Sequence, residues 1–257
     1  MKIKTLQKDK LMLTFLVEGI TEAKANTLRR LMLTEVPTLA IEDVSIQKNS
    51  SAMYDEMLAH RLGLVPLTTD LKSYKTKEEC KCEGKGCAQC TLAISIKVKG
   101  PGVVYSSSIE SQDQKVKAAQ ENIPITKLGK NQELKVEATA ILGRGKTHIK
   151  FSPGLIYYRG YPLITIEKKG GVKKCIESCD NNLTEKGDQM IIKDVTKWND
   201  ACEEICEKNG MKIDASKEDF IFTIESWGQL QPKEILVKAI DIYEDKLSEF
   251  AKQVKAL

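Results

Sequence analysis

The chain has 257 residues, of which 41% are apolar and 30% charged, and its net charge at neutral pH is +4. That length is enough for one large domain or two smaller ones around a sizeable core. The near balance of 40 basic and 36 acidic residues argues against the broad basic surface of a dedicated nucleic-acid binder.

The opening segment, "MKIKTLQKDKLMLTFLVEG", alternates apolar and polar residues and predicts a strand pair. It lacks the long apolar core and small-residue cleavage site of a secretion signal, and no stretch in the chain approaches about 18 uninterrupted apolar residues. A cytoplasmic location is therefore expected. A helix is predicted from about Thr21 to Glu35, where Ala25, Leu28, Met32 and Val36 recur at helical spacing before Pro37 stops it. "TLAIEDVSIQKN" reads as a strand, with Leu39, Ile41, Val44 and Ile46 as its apolar positions. A second helix, about Ala52 to Leu62, follows Ser50 and Ser51 as candidate caps and ends at Gly63.

Next comes "EECKCEGKGCAQC", in which Cys80, Cys82, Cys87 and Cys90 fall within eleven residues. In a reducing compartment, clustered cysteines are more often metal ligands or redox groups than disulfides. Close pairs on a loop made pliable by Gly84 and Gly86 can bring four thiolates onto one tetrahedral ion, so a closed structural zinc site is predicted. "TLAISIKVKG", "GVVYSSSIES" and "QELKVEATAILG" then read as strands, and "HIKFSPGLIYYRGYPLITIEKKGG" as a strand and turn region. The glycines of "LGRGKTH" fit a turn better than a phosphate loop.

Residues 171–215 are polar and hold the other four cysteines as two C-x3-C pairs, Cys175 with Cys179 and Cys202 with Cys206. Each pair has the spacing that shares one helical face, and "VTKWNDACEEICEKNG" looks helical. Two facing pairs can hold an iron–sulfur cluster, bind zinc, or close as disulfides, and spacing alone leaves all three open. The tight C-x2-C-x2-C run of ferredoxins is absent.

"KEDFIFTIESWGQ" resumes a strand before the final helix, which begins near Pro232. There Leu236, Ile240, Tyr243, Leu247, Phe250, Val254 and Leu257 alternate intervals of four and three residues, a heptad-type seam suited to a partner helix. The chain carries no phosphate-binding glycine motif, no nucleophile elbow and no run of aspartates for two-metal chemistry, so no active site is predicted in it.

The stretch "NTLRRLMLTEVPTLAIEDVSIQKNSSAMYDEMLAHRLGLVPL" and the block "ILGRGKTHIKFSPGLIYYRGYP" resemble a family of RNA polymerase subunits. That family has archaeal members, eukaryotic counterparts and the amino-terminal domain of bacterial alpha, and the likeness is strongest to the archaeal ones. The C-x-C-x4-C-x2-C loop is similar to the zinc loop of eukaryotic and many archaeal members, and residues 171–215 stand where archaeal members carry a ferredoxin-like domain.

The resemblance implies an α+β fold in which an alpha-type dimerisation module carries an inserted, mainly β module with a zinc loop and a small ferredoxin-like insertion. Its divisions are residues 1–46 and 218–257 for dimerisation, 47–169 for the β-rich insert and 170–217 for the cysteine-containing insertion. It implies an assembly platform of a nucleotidyltransferase complex with no active site of its own. The implied partners are a small alpha-like subunit (subunit L in archaea), the large catalytic subunits and small zinc-bearing subunits, with DNA met only through the complex. Leu28 and Met32 of the first helix, with Leu236, Ile240, Tyr243, Leu247, Phe250 and Val254, are the expected partner face. The alternatives are an iron–sulfur redox or regulatory protein and a zinc-containing nucleic-acid-binding module.

Overall fold

Strands β1 (Lys2–Lys8) and β2 (Met12–Glu18) form an antiparallel hairpin, as their alternation predicts. Helix α1 (Glu22–Thr34) follows, then β3 (Pro37–Asn49) and α2 (Asp55–Gly63). Past the cysteine loop lie β4 (Thr91–Lys99), β5 (Gly102–Tyr105), β6 (Glu110–Ser111), β7 (Pro124–Leu128), β8 (Glu133–Arg144) and β9 (Gly154–Ile166). The chain continues through α3 (Val172–Ser178), β10 (Leu183–Lys186), β11 (Gln189–Ile192), α4 (Asp200–Lys208) and β12 (Met211–Ser226) to α5 (Pro232–Lys255). These elements belong to a computed structural model that describes residues 1–256, a mixed α/β chain dominated by its sheets. Among the described residues no helix is long and apolar enough to cross a membrane.

The chain divides into two compact units. One comprises Met1–Arg29 with Ile156–Ile224. It is built on a sheet of order β1-β2-β12-β9-β11-β10. Phe15 stacks on Phe222 with ring centroids 5.4 Å apart, and Tyr158 packs against Phe222 at 5.3 Å. Ile164, Val172, Met190, Trp198 and Met211 form a continuous apolar cluster with Cys175, Cys179, Cys202 and Cys206.

The other unit comprises Arg30–Leu155 and the chain from Glu225 onward. Its main sheet has the order β3-β8-β4-β6, and β5 pairs with β7 in a separate ribbon. Along β8 every second residue from Leu134 through Val136, Ala138 and Ala140 to Leu142 is buried. That period of two sends one face of the strand into the core. Leu58 and Leu62 of α2 are wholly buried and join one apolar cluster with Leu67 and with Leu39, Ile41 and Ile96 of the neighbouring strands. Full burial of each such side chain contributes about 1.5–3 kcal/mol.

The structure departs from the sequence reading at several places. Residues 183–192 extend the same sheet that holds β2 and β12. Helix α2 starts at Asp55 rather than Ala52. The Asn49 carboxamide accepts hydrogen bonds from the Ser51 amide at 3.0 Å and hydroxyl at 2.6 Å, holding Ser50 and Ser51 in a turn instead of a cap. "GVVYSSSIES" is two strands split by a 3-10 turn at Ser106–Ser108, where the Ser106 hydroxyl accepts from the Ile123 amide at 3.1 Å. The short strands β7, β10 and β11 were outside the expected set, since four or five residues carry too little periodicity to stand out.

Candidate metal centre and exposed apolar helix

The first cysteine loop turns back on itself through backbone in the left-handed region, with φ of 53° at Glu83, 78° at Gly84 and 93° at Gly86. The Glu83 amide donates to the Cys80 carbonyl and the Lys85 amide to the Cys82 carbonyl, both at 3.1 Å. The Cys90 and Thr91 amides both donate to the Cys87 carbonyl at 2.9 Å, fixing the last cysteine where β4 begins. Arg144 of β8 forms an ion pair with Glu79, tying the loop's entry to the sheet.

This folding converges all four thiols. Their sulfur atoms lie within 4.8 Å of one another. Cys80 to Cys82 is 3.4 Å, Cys80 to Cys87 and Cys82 to Cys90 are each 3.5 Å, and Cys87 to Cys90 is 3.9 Å. A tetrahedral ion with four sulfurs at about 2.3 Å requires sulfur–sulfur edges of about 3.8 Å. The set therefore fits one metal ion. Hydrogen bonding with Cys80 and Cys90 holds the Cys82 thiol down to about 6, whereas burial pushes Cys90 up to about 12. Metal binding requires thiolates, so an incoming ion displaces thiol protons from the set.

The second group lies in the other unit. Cys175 on α3 and Cys206 on α4 are joined by a disulfide, with α-carbons 4.8 Å apart. Cys179 and Cys202 are free and buried, and the Cys179 sulfur sits 3.8 Å from that of Cys206. Cys202 and Cys206 do share the buried face of α4, as their spacing predicts. With that bond made, Cys179 and Cys202 are the two thiols of this group.

Helix α5 begins with a reciprocal cap. The Gln231 side chain accepts from the third residue of the helix, whose own side chain, Glu234, accepts from the Gln231 amide at 2.9 Å. Pro232, Ile235 and Ala239 are buried, so only the first two turns are sunk in the core. Farther along, Lys246 pairs with the nearly buried Glu35 at 2.8 Å. Of the predicted seam, Leu236 is half-buried. Ile240, Tyr243, Leu247, Phe250 and Val254 are all exposed, Phe250 by 64%. Leu257 lies outside the described residues. On α1, Leu28 is half-buried, but Met32 is completely buried. Met32 therefore belongs to the chain's own core and not to its surface, because its helical position points with Ala25 and Val36 inward. The ion pairs of Glu35 and Glu79 escaped the sequence reading, since long-range charge pairs leave no periodic trace.

Comparison with known proteins bears on what this arrangement serves. Residues 44–156 match the family described as "RNA polymerase Rpb3/RpoA insert domain". DNA-directed RNA polymerase subunit Rpo3 of Methanothermobacter thermautotrophicus is 39% identical over 254 residues, 96% of each chain. The subunit of the same name from Methanosarcina acetivorans is 37% identical over 91% of each chain. That from Pyrococcus horikoshii is 34% identical over 100% of this chain and 98% of its own. The chain belongs to the archaeal Rpo3 family. For an Rpo3-family chain the likeness runs nearly end to end, covering the cysteine loop and α5 alike.

Proposed function

We propose that the chain is a non-catalytic assembly subunit of a DNA-directed RNA polymerase, pairing through α5 with a small alpha-like subunit (subunit L in archaea). The pair then seats the large catalytic subunits and small zinc-bearing subunits, and DNA is met only through the complex. The observation that carries this reading is the near full-length match to polymerase subunits named Rpo3. The bare apolar seam of α5 supports it physically. Five large side chains face water along a helix of 24 residues, about 36 Å long. A seam of that type is stabilised by an opposing helix that takes it out of water.

In the same reading the Cys80, Cys82, Cys87 and Cys90 set holds zinc, which closes the loop and shapes a docking surface. Zinc follows from a four-sulfur, closed tetrahedral set with no open position for substrate. Residues 170–217 correspond to the ferredoxin-like insertion of the family, and the location is cytoplasmic. The redox and nucleic-acid alternatives are not favoured, since the relatives are all named as polymerase subunits.

Co-expression with the alpha-like subunit of the same organism, followed by affinity capture of that subunit, tests the proposal. A stoichiometric complex in which the chain carries about one zinc is the expected result. Recovery of the chain as a stable monomer that ignores the partner overturns it.

A further inference from the structure

Three strands of the unit that begins with β1 share a face on which a cleft opens, and the polymerase reading makes no use of it. Met12 and Thr14 of β2, Ile221 and Thr223 of β12, and Tyr157 and Arg159 of β9 are spaced two apart on neighbouring strands, so their side chains lie on one side of the sheet. Residues of the segment that leads into α4, from Val195 to Ala201, complete the lining. The space is about 540 Å³, the size of a small-molecule site, and every residue around it belongs to the same compact unit.

The lining holds more hydrogen-bond donors than it satisfies. Trp198 is 2% exposed, and its indole N–H has no partner among the described residues. Buried donors are nearly always paired, so this one calls for an acceptor from outside the chain. The buried Thr14 and Thr223 hydroxyls lie 3.4 Å apart. Their bond uses one of the two hydroxyl protons and leaves the other to spare. Arg159 donates from Nη2 to the Val195 carbonyl at 3.3 Å and the Trp198 carbonyl at 3.1 Å, which leaves the N–H groups of Nε and Nη1 unused. The Asn199 side-chain oxygen takes the Cys202 amide at 2.9 Å, and its amide nitrogen is left to donate. Arg159 is the one cation of the lining and Asp200 the one carboxylate.

We propose that this cleft binds a small organic monocarboxylate, held at its charged end by Arg159 and the spare donors beside it and along its apolar body by Met12 and Ile221. A guanidinium meets a carboxylate through two parallel N–H···O bonds, which fixes orientation as well as charge. Asp200 sets the limit of one charge, since a second carboxylate would stand near it with no cation left to offset the pair. A neutral amide of the same shape offers one acceptor oxygen and brings N–H donors of its own to a site that already has too many.

The chain has two tryptophans, so Trp227→Phe leaves Trp198 as the sole indole and makes it a reporter in the cleft wall. On that background the full chain is titrated at neutral pH with 3-phenylpropionate, with its amide, and with benzylmalonate, which adds a second carboxylate to the same body. Trp198 fluorescence should change saturably with 3-phenylpropionate, with a Kd of about 1 mM or tighter. The amide and benzylmalonate should each bind at least about tenfold more weakly. Arg159→Gln should weaken the acid about tenfold, to the level of the amide, and Thr223→Val, which keeps the shape and removes one hydroxyl, about threefold. Thermal melts show whether the two variants are folded, and the comparison of the three ligands stands without them. No saturable change at about 20 times that Kd, or equal affinity for acid and amide, overturns the site. Benzylmalonate binding as tightly as the monoacid overturns the limit of one charge, and unchanged affinity in a folded Arg159→Gln chain overturns the role of Arg159.

Discussion

Cys87 sits at the point where the first loop closes, its carbonyl accepting from Cys90 and Thr91 and its sulfur 3.5 Å from that of Cys80. Cys87→Ser removes one of four ligands and should take bound zinc from about one per chain toward zero, as read by elemental analysis of the purified protein. An unchanged zinc content would show that the metal lies elsewhere. Gly145 stands in "LGRGKTH", where the sequence leads one to expect a turn, and a Cβ there would collide with the Leu33 carbonyl oxygen. Gly145→Ala should lower the unfolding free energy by about 1–3 kcal/mol, as overpacking does, measurable by denaturant titration. Its glycine permits a close approach of backbones, and only the fold reveals which backbone approaches. The convergence of the first cysteine group was legible because it is written in local spacing. The Cys175–Cys206 contact was not, because it depends on how two segments some thirty residues apart meet.

At the scale of elements, α5 and α1 give contrasting expectations for the same kind of change. Leu247 is 49% exposed, so Leu247→Asp should alter the chain's own stability by less than about 0.5 kcal/mol. It should nevertheless weaken capture of the alpha-like partner by roughly 30- to 1,000-fold, the cost of about 2–4 kcal/mol at a central apolar contact. Met32→Asp buries a carboxylate in the core and should cost more than about 4 kcal/mol, unfolding the chain before binding is at issue. Thermal melts with a partner titration separate the two outcomes, and a Leu247→Asp chain that binds normally would remove α5 from the interface. The heptad intervals made the seam of α5 readable in advance. Periodicity did not tell which apolar positions of α1 stay inside, because Leu28 and Met32 obey the same spacing and differ only in what packs on them.

For the whole molecule, the long strands and helices follow their alternation and helical spacing, so most of the two sheets could be anticipated in order. The grouping of those elements into units could not, because it depends on pairings such as β2 with β12 that join residues some two hundred positions apart. A corresponding expectation concerns the isolated protein. At micromolar concentration and low salt the full chain alone should self-associate on size-exclusion chromatography with light scattering, and equimolar alpha-like partner should convert it to a single heterodimer peak. A monodisperse monomer in both runs would contradict it. Among the described residues the Glu35–Lys246 ion pair is the last clasp holding α5 near its domain, and residues 247–255 beyond it are exposed helix. An unassembled copy thus displays the kind of greasy, frayable tail that chaperones grip and proteases start from. A helix that covers this stripe should therefore also shield it from both, which limited proteolysis with and without the alpha-like partner would read.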